Sequence, residues 1–239
     1  MQSINSKNPY FQGVIAGLPF LLVVGPFGML FGVVATEAGL PLSQVMGFTV
    51  LVIAGASQFT ALQLMTENAP IVVILVSALA VNLRMAMYSA SFAPHLGPAP
   101  VWQRALIAYF NVDQTYALSI QKFEDQPKAP VRWKVLYFFG AATPICPFWY
   151  LATWAGAVLG STIPPEFALD FAVPITFLAL VAPALRTVAH LAAALTAVVL
   201  SILLAWMPYN LWLLIAAGAA MMVGAEIERR MTLSKGERV

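Results

Sequence analysis

The sequence predicts an all-α membrane protein: a polytopic bundle of about eight transmembrane helices, some of them broken or kinked by proline. Hydrophobic residues make up 61% of the 239 residues and charged residues only 9%, whereas a soluble domain contains about 45–50% and about 25%. The mean hydropathy is +0.83. The apolar residues also occur in long runs, and a run of about 20 lets a helix cross the roughly 30 Å hydrocarbon core of a bilayer. We therefore expect a single transmembrane domain over 1–239, because so few charges cannot cover a water-facing surface.

Each predicted span is an apolar run bounded by polar or charged residues. Prolines lie inside spans one, five and six, and proline kinks a helix because it lacks a backbone N–H. Polar side chains interrupt spans two, three and four, and spans seven and eight complete the bundle. A seven-span alternative holds if the 55–94 region is partly re-entrant. The eight spans cover 11–35, 43–65, 71–94, 101–123, 135–159, 167–185, 187–206 and 211–226.

The prolines also indicate two related halves, 11–123 and 133–228. Transporters are commonly built from such repeats, with the binding site at interrupted helices near the repeat interface. Four spans in each half make the halves parallel, whereas an odd number makes them inverted, and both arrangements stay open at this point. Spans one and five each contain a proline pair, at different spacing: Pro19 and Pro26 against Pro144 and Pro147.

Lysine and arginine are concentrated in two segments, the 122–134 loop and the charged 227–239 tail. Short segments rich in these residues remain in the cytoplasm, so both are predicted to be cytoplasmic. The four spans between them fit this orientation, and the four spans before the loop place the N-terminus inside as well. Arg104 alone departs from the rule.

Several classes of function are not expected. The net charge is +2 and the basic residues are scattered, which does not favour nucleic acid. The lone Cys146 cannot form an intrachain disulfide, and His95 and His190 are too few and too far apart for a metal site. No His-Glu-x-x-His motif and no nucleotide-binding motif occurs. We expect neither enzymatic activity nor a cofactor, and no direct use of ATP.

Two charges lie well inside predicted spans, Arg84 in span three and Asp113 in span four. An ionised side chain at the bilayer centre costs about 2.5–3.5 kcal/mol on insertion scales, so such residues face a partner or a cavity. One interpretation is an ion pair that only joins two helices. The other is a substrate or proton path, and the pair alone does not decide between them.

Further polar residues surround these charges in the sequence. Asn82 and Arg84 are about 200° apart on a regular helix, so local unwinding is needed to bring both to one cavity. The segment around Gly55 and Ser57 is predicted to break span two and to present half-helix N–H groups, which bind carboxylates. In span four, polar side chains at i, i+3 and i+4 are predicted to share one face. The predicted substrate-binding or translocation residues are Gly55, Ser57, Gln58, Asn82, Arg84, Tyr88, Asn111, Asp113, Gln114 and Thr115.

Four segments, in this order, resemble the AzlC family, which comprises the large subunits of bacterial branched-chain amino acid exporters. In that family an acidic residue often follows the aspartate of the fourth segment. Gln114 stands there in this sequence, which puts any proton coupling through a second acid in question. The segments are Gly55-Ala56-Ser57-Gln58-Phe59, Asn82-Leu83-Arg84, Tyr88-Ser89-Ala90-Ser91-Phe92-Ala93-Pro94 and Asp113-Gln114-Thr115-Tyr116-Ala117-Leu118.

The resemblance implies a multi-pass permease of the bacterial inner membrane that exports valine, leucine, isoleucine or a similar small neutral amino acid. It also implies a small AzlD-type membrane subunit as partner. Charge matching adds a hypothesis for the roles of the residues, because a zwitterion in a low-dielectric site needs both charges compensated. The alternative is a channel-type or structural subunit whose polar centre only joins helices.

In this hypothesis Arg84 and the N–H groups near Ser57 take the carboxylate. Asp113, with two neighbouring amides, takes the ammonium group, and an apolar wall accepts the branched side chain. The amides are Asn111 and Gln114, and the wall is Phe59, Leu62 or Tyr88.

Overall fold

The computed structural model describes residues 8–160, 185, 187–207 and 211–236. All regular secondary structure in these ranges is helical, which confirms the predicted all-α class for this part of the chain. A short 3₁₀ turn, Leu18–Phe20, lies between the first two helices. The helices are α1 (Pro9–Gly17), α2 (Leu21–Glu37), α3 (Leu42–Leu51), α4 (Gly55–Thr66), α5 (Ile71–Leu96), α6 (Val101–Tyr109), α7 (Asp113–Asp125), α8 (Val131–Gly160), α9 (Val188–Leu203) and α10 (Leu211–Gly236).

Three segments are long and apolar enough to cross a membrane: Pro9–Glu37, Ile71–Leu96 and Val131–Gly160. They correspond to predicted spans one, three and five. Spans two and four each consist of two shorter helices, and α9 and α10 lie where spans seven and eight are predicted. Span six falls almost wholly outside the described residues, so the count of eight stays a prediction.

The chain divides into two compact units. One comprises Met1–Phe59 and Val81–Phe167, and the other Thr60–Ala80 and Ala168–Val239. In the second unit α9 packs against α10. The first unit contains every predicted site residue, so its packing determines the geometry of the site.

In the first unit, α8 is the central helix, and α1 and α2 lie along it. A Cβ on Gly13 would collide with the backbone of Tyr137 and Ala141, and one on Gly32 with the backbone of Thr153. Residue numbers therefore rise in the same direction along α1 and α2 as along α8, so the first span runs parallel to α8. If both cross the membrane, an odd number of crossings must lie between them. The contacts of Phe92 with Phe138 and of His95 with Lys134 make α5 antiparallel to α8, so α5 itself meets that requirement. A crossing by each of the predicted spans two, three and four would instead make α5 parallel to α8.

The seam between α2 and α8 depends on glycines from both helices. A Cβ on Gly156 would collide with the backbone of Met29, and one on Gly160 would lie 2.9 Å from the Cα of Val33. Small residues allow helix backbones to approach closely in a membrane, where van der Waals packing replaces the hydrophobic effect between helices. These glycines are therefore required by the close approach of the two spans.

The same two helices share a sequence pattern, Pro-Phe-x7-Gly-x3-Gly, with a constant offset of 128 residues. It begins at Pro19 in the first span and at Pro147 in the fifth. In this pattern Pro19 corresponds to Pro147. If Pro19 is instead compared with Pro144, the first proline of the fifth span, the distances to the second proline of each span differ. Because the two segments also pack in parallel, the pattern supports the proposal of two parallel halves.

The connection between α7 and α8 is shorter than the predicted 122–134 loop. Lys122 belongs to α7 and Arg132 to α8, so only 126–130 lie between the helices. Lys134 is buried, and its Nζ lies 3.2 Å from Nδ1 of His95. The tail was predicted to begin at residue 227, but α10 continues without interruption through this boundary to Gly236.

Candidate functional site

Arg84 and Asp113 form an ion pair in the first unit. The guanidinium Nη1 lies 3.1 Å from Oδ2 of the carboxylate, and the side chains are 29% and 39% exposed. The structure thus brings together the two charges that the sequence places inside spans. The described residues leave both charged groups partly exposed.

Tyr88 completes the contacts of the carboxylate. It lies one helical turn after Arg84 on α5, and residues at i and i+4 share a face. Its hydroxyl donates to Oδ1 of Asp113 over 3.0 Å. Asp113 therefore accepts from Arg84 on one oxygen and from Tyr88 on the other, and α5 supplies both donors.

An aromatic stack supports Tyr88 from the side. The rings of Tyr88 and Tyr116 are stacked, with centroids 4.0 Å apart and an interplanar angle of 9°. The Tyr116 hydroxyl donates to Oγ of Ser91 over 3.0 Å. Tyr116 and Ser91 were absent from the predicted site. Their spacing would have indicated them, because Tyr116 follows Asp113 by three residues and Ser91 follows Tyr88 by three.

Asp113 is the first residue of α7 because the chain breaks at 110–112. Thr115 holds this break: its Oγ1 accepts from the backbone N–H of Val112 over 2.9 Å, and its hydroxyl lies 2.9 Å from the carbonyl oxygens of Phe110 and Val112. A carboxylate in the first turn of a helix is also stabilised by the positive end of the helix dipole. The break therefore places the Asp113 carboxylate at the start of α7, where the helix dipole stabilises its negative charge.

The break corrects two predictions for span four. Asn111 lies before α7 rather than within a regular helix, so the i, i+3, i+4 face that it was predicted to share with Gln114 and Thr115 does not form. Thr115 is fully buried and bonds to the local backbone. These bonds cap the start of α7, where Asp113 lies. Gln114 lies half-buried in the first turn of α7.

The predicted unwinding near Asn82 is also wrong, because α5 is one continuous helix from Ile71 to Leu96. On a regular helix Asn82 and Arg84 point about 200° apart. Only Arg84 therefore belongs to the ion-pair cluster. Oδ1 of Asn82 is buried without a hydrogen-bond partner.

The predicted break of span two is confirmed, since α3 ends at Leu51 and α4 begins at Gly55. Ser57 is buried, and its hydroxyl donates to the carbonyl of Ala54 over 3.1 Å. Gly55 faces the rings of Phe27 and Trp149. Within the described residues, no hydrogen bond or ion pair joins this break to the Arg84–Asp113 pair.

Several of the predicted residues carry buried polar atoms that have no partner within the described part of the chain. Leaving a buried polar group unpaired costs about 1–3 kcal/mol, and native proteins keep few of them. Their concentration on predicted site residues indicates places where a ligand or water completes the bonding. The atoms are both side-chain atoms of Gln58, Oδ1 of Asn82, Nε of Arg84 and Oδ1 of Asn111.

The described residues contain no group of three or more His, Cys, Asp or Glu side chains suited to a metal ion. The ion-pair cluster contains one cation, one anion and a phenol, which can compensate charge and form hydrogen bonds. That set matches the groups of a zwitterion.

Comparison with known proteins gives two relatives and one family. The chain is 25% identical to an uncharacterized membrane protein of Archaeoglobus fulgidus over 201 residues, covering 78% of this chain and 80% of the relative. It is 24% identical to the inner membrane protein YgaZ of Escherichia coli over 175 residues, covering 71% and 70%. No solved structure matches the chain. The family model of the AzlC protein matches residues 19–163, which include every predicted site residue, and the chain belongs to the AzlC family of membrane proteins.

Proposed function

We propose that this chain is a subunit of a secondary transporter that exports branched-chain or similar small neutral amino acids across the bacterial inner membrane. The observation that carries the proposal is the partly exposed ion pair of Arg84 and Asp113, which lies in predicted spans and in which Nε of Arg84 has no partner among the described residues. A neutral amino acid carries the complementary pair of charges. Membership in the AzlC family and the name of the E. coli relative as an inner membrane protein support the membrane location.

The ion pair can exchange partners with the substrate. The amino acid carboxylate binds Arg84 and the ammonium group binds Asp113, while the Tyr88 hydroxyl continues to donate to the free side of Asp113. No charge is left uncompensated during this exchange. That matters because an unpaired charge in the membrane costs about 2.5–3.5 kcal/mol.

An ion gradient drives export in this proposal, since the sequence contains no nucleotide-binding motif. Gln114 stands beside Asp113, so Asp113 is the acid available for any proton coupling at this cluster. A small AzlD-type membrane subunit is the proposed partner. Both termini are proposed to be cytoplasmic, in agreement with the basic residues of the tail.

The test is valine efflux from preloaded cells that carry Arg84→Gln or Asp113→Asn at membrane levels equal to wild type. We expect at least about a tenfold loss of efflux in each variant at substrate concentrations below Kd, since losing about 1.4 kcal/mol of binding free energy lowers the affinity tenfold. Glu226→Gln is the matched control, because it removes ion pairs that lie in the tail, to Arg229 and Arg230. Normal efflux in both site variants would overturn the proposal.

The second candidate function is a structural or channel-type subunit in which the pair only joins α5 to α7. It is favoured by the direct contact of the two side chains, which joins α5 to α7. The double variant Arg84→Leu, Asp113→Leu separates the two functions. Retained function would identify the pair as a helix joint, since apolar replacement of a structural pair is often neutral. Lost efflux with an unchanged size-exclusion profile would favour the transporter.

A further inference from the structure

We infer that the cavity lined by the second half of α5 and by α6 receives the aliphatic side chain of the transported amino acid and sets its size limit. This inference rests on the proposed export of neutral amino acids. None of the predicted site residues except Asn111 lines this cavity, and its apolar walls were not among the predicted wall residues.

The cavity has a volume of about 210 Å³. Its walls are Phe92, Leu96 and Ile107, each of them at most 5% exposed. Pockets for drug-sized ligands have volumes of about 300–1,000 Å³, so this one is suited to a smaller group. An aliphatic amino acid side chain is such a group.

Small residues keep the cavity open. Ala93 and Gly97 on the α5 side and Ala108 on α6 face it, and none of them fills the space between the larger walls. A longer side chain at Ala93 or Ala108 would occupy the volume directly, whereas a Cβ on Gly97 would collide with the carbonyl oxygen of Ala93. The size of the ligand is therefore set by the two alanines, whose side chains are methyl groups.

The cavity adjoins the ion pair through aromatic contacts. The Phe92 ring lies 5.2 Å, centroid to centroid, from the Tyr116 ring. Tyr116 stacks on Tyr88, and Tyr88 donates to Asp113. Asn111, in the cavity lining, precedes Asp113 by two residues, and two residues span at most about 7 Å. A ligand whose charged end lies at Asp113 is thus within reach of the apolar walls.

The polar residues in the cavity lining indicate which polar groups the ligand carries. Oδ1 of Asn111 is a buried hydrogen-bond acceptor without a partner, on a side chain that is 4% exposed. Arg104 is an exposed member of the lining, and it forms no ion pair with a described acid. Asn111 precedes Asp113 by two residues, so its Oδ1 can accept an N–H of the ammonium group that Asp113 binds, while the aliphatic side chain fills the apolar part of the cavity.

The inference also explains why a basic residue, Arg104, lies in the cavity lining. His95, at the end of α5, contacts Lys134 near the start of α8, so Arg104 lies at the same end of the first unit as the basic 122–134 segment and agrees with the positive-inside rule. At the cavity it can attract the substrate carboxylate before the exchange with Arg84 takes place.

The test compares the export of leucine and alanine within the same cells, because the ratio of the two rates cancels differences in protein level. Ala108→Leu should lower the leucine-to-alanine ratio about tenfold or more, since one methylene in a tight apolar pocket changes discrimination by about 10–200-fold. Ala105→Leu, on the same helix and outside the cavity lining, should leave the ratio unchanged.

Ile107→Ala serves as the second variant, in case Ala108→Leu disturbs packing and lowers both rates equally. It enlarges the cavity and should raise the export of phenylalanine or methionine relative to leucine. A wild-type protein that exports leucine, together with unchanged ratios in Ile107→Ala, would overturn the cavity assignment alone. A wild-type protein that exports no neutral amino acid would overturn the proposed function and this inference with it.

Discussion

Tyr88 donates a hydrogen bond to Oδ1 of Asp113 over 3.0 Å, across the contact between α5 and α7. The opposite oxygen of the same carboxylate is held by Arg84 at 3.1 Å. These two contacts fix the orientation of the Asp113 carboxylate. In the proposed exchange, Arg84 leaves this carboxylate and Tyr88 stays, so the phenol is the group that keeps Asp113 in position.

Tyr88→Phe should therefore weaken transport while preserving the stack on Tyr116. A hydrogen bond to a charged group contributes about 1.5–3 kcal/mol, which corresponds to roughly a 10–100-fold fall in the efficiency of valine export. Tyr10→Phe is the control, because it removes a hydroxyl that contacts Thr143 over 2.9 Å and lies outside the cluster. Equal export by the two variants would show that the Tyr88 hydroxyl has no role.

Thr115→Val should destabilise the start of α7. The substitution keeps the side-chain volume but removes the oxygen that accepts from the Val112 N–H, and loss of a capping side chain costs about 0.5–2 kcal/mol. We expect a lower melting temperature in detergent and reduced valine export, because Asp113 loses its fixed position. Thr115→Ser keeps the hydroxyl and should restore both measurements. A Ser variant as impaired as the Val variant would contradict the capping role.

Gly32→Ala should disrupt the seam between α2 and α8. The new methyl would collide with the backbone of Thr153 and Ala157, and overpacking of this kind costs about 1–3 kcal/mol. We expect a lower melting temperature or aggregation in fluorescence-detected size exclusion. Gly47→Ala makes the same change on α3, where a Cβ has open space, and should be tolerated. Similar melting temperatures for both variants would contradict the close approach of the two spans.

The proposed orientation predicts which positions a membrane-impermeant maleimide reaches in intact cells. A cysteine at Ala38, in the turn after α2, should be labelled, whereas one at Lys128 should react only after permeabilisation. Cys146 is fully buried, so the wild-type protein should remain unlabelled and provide the background. Labelling of Lys128→Cys in intact cells would reverse the orientation.

The all-α class, the three long apolar helices and the break before Gly55 follow from the sequence. These are local properties, because the length of an apolar run must match the bilayer. Arg84 and Asp113 were recognised in the same way, because a charge inside an apolar run is costly wherever the chain folds. Local chemistry was thus enough to select the residues of the pair.

Tertiary structure decided how those residues meet. The sequence suggested unwinding at Asn82 and a shared face for Asn111, Gln114 and Thr115, but α5 is continuous and the chain breaks at 110–112 instead. The parallel packing of α2 on α8 and the stack of Tyr88 on Tyr116 join residues far apart in the chain. A hydropathy pattern does not predict such contacts, because they depend on which helices become neighbours. The sequence by itself therefore determined where the protein resides and which charges it contains, and the packing of the helices determined which groups face one another.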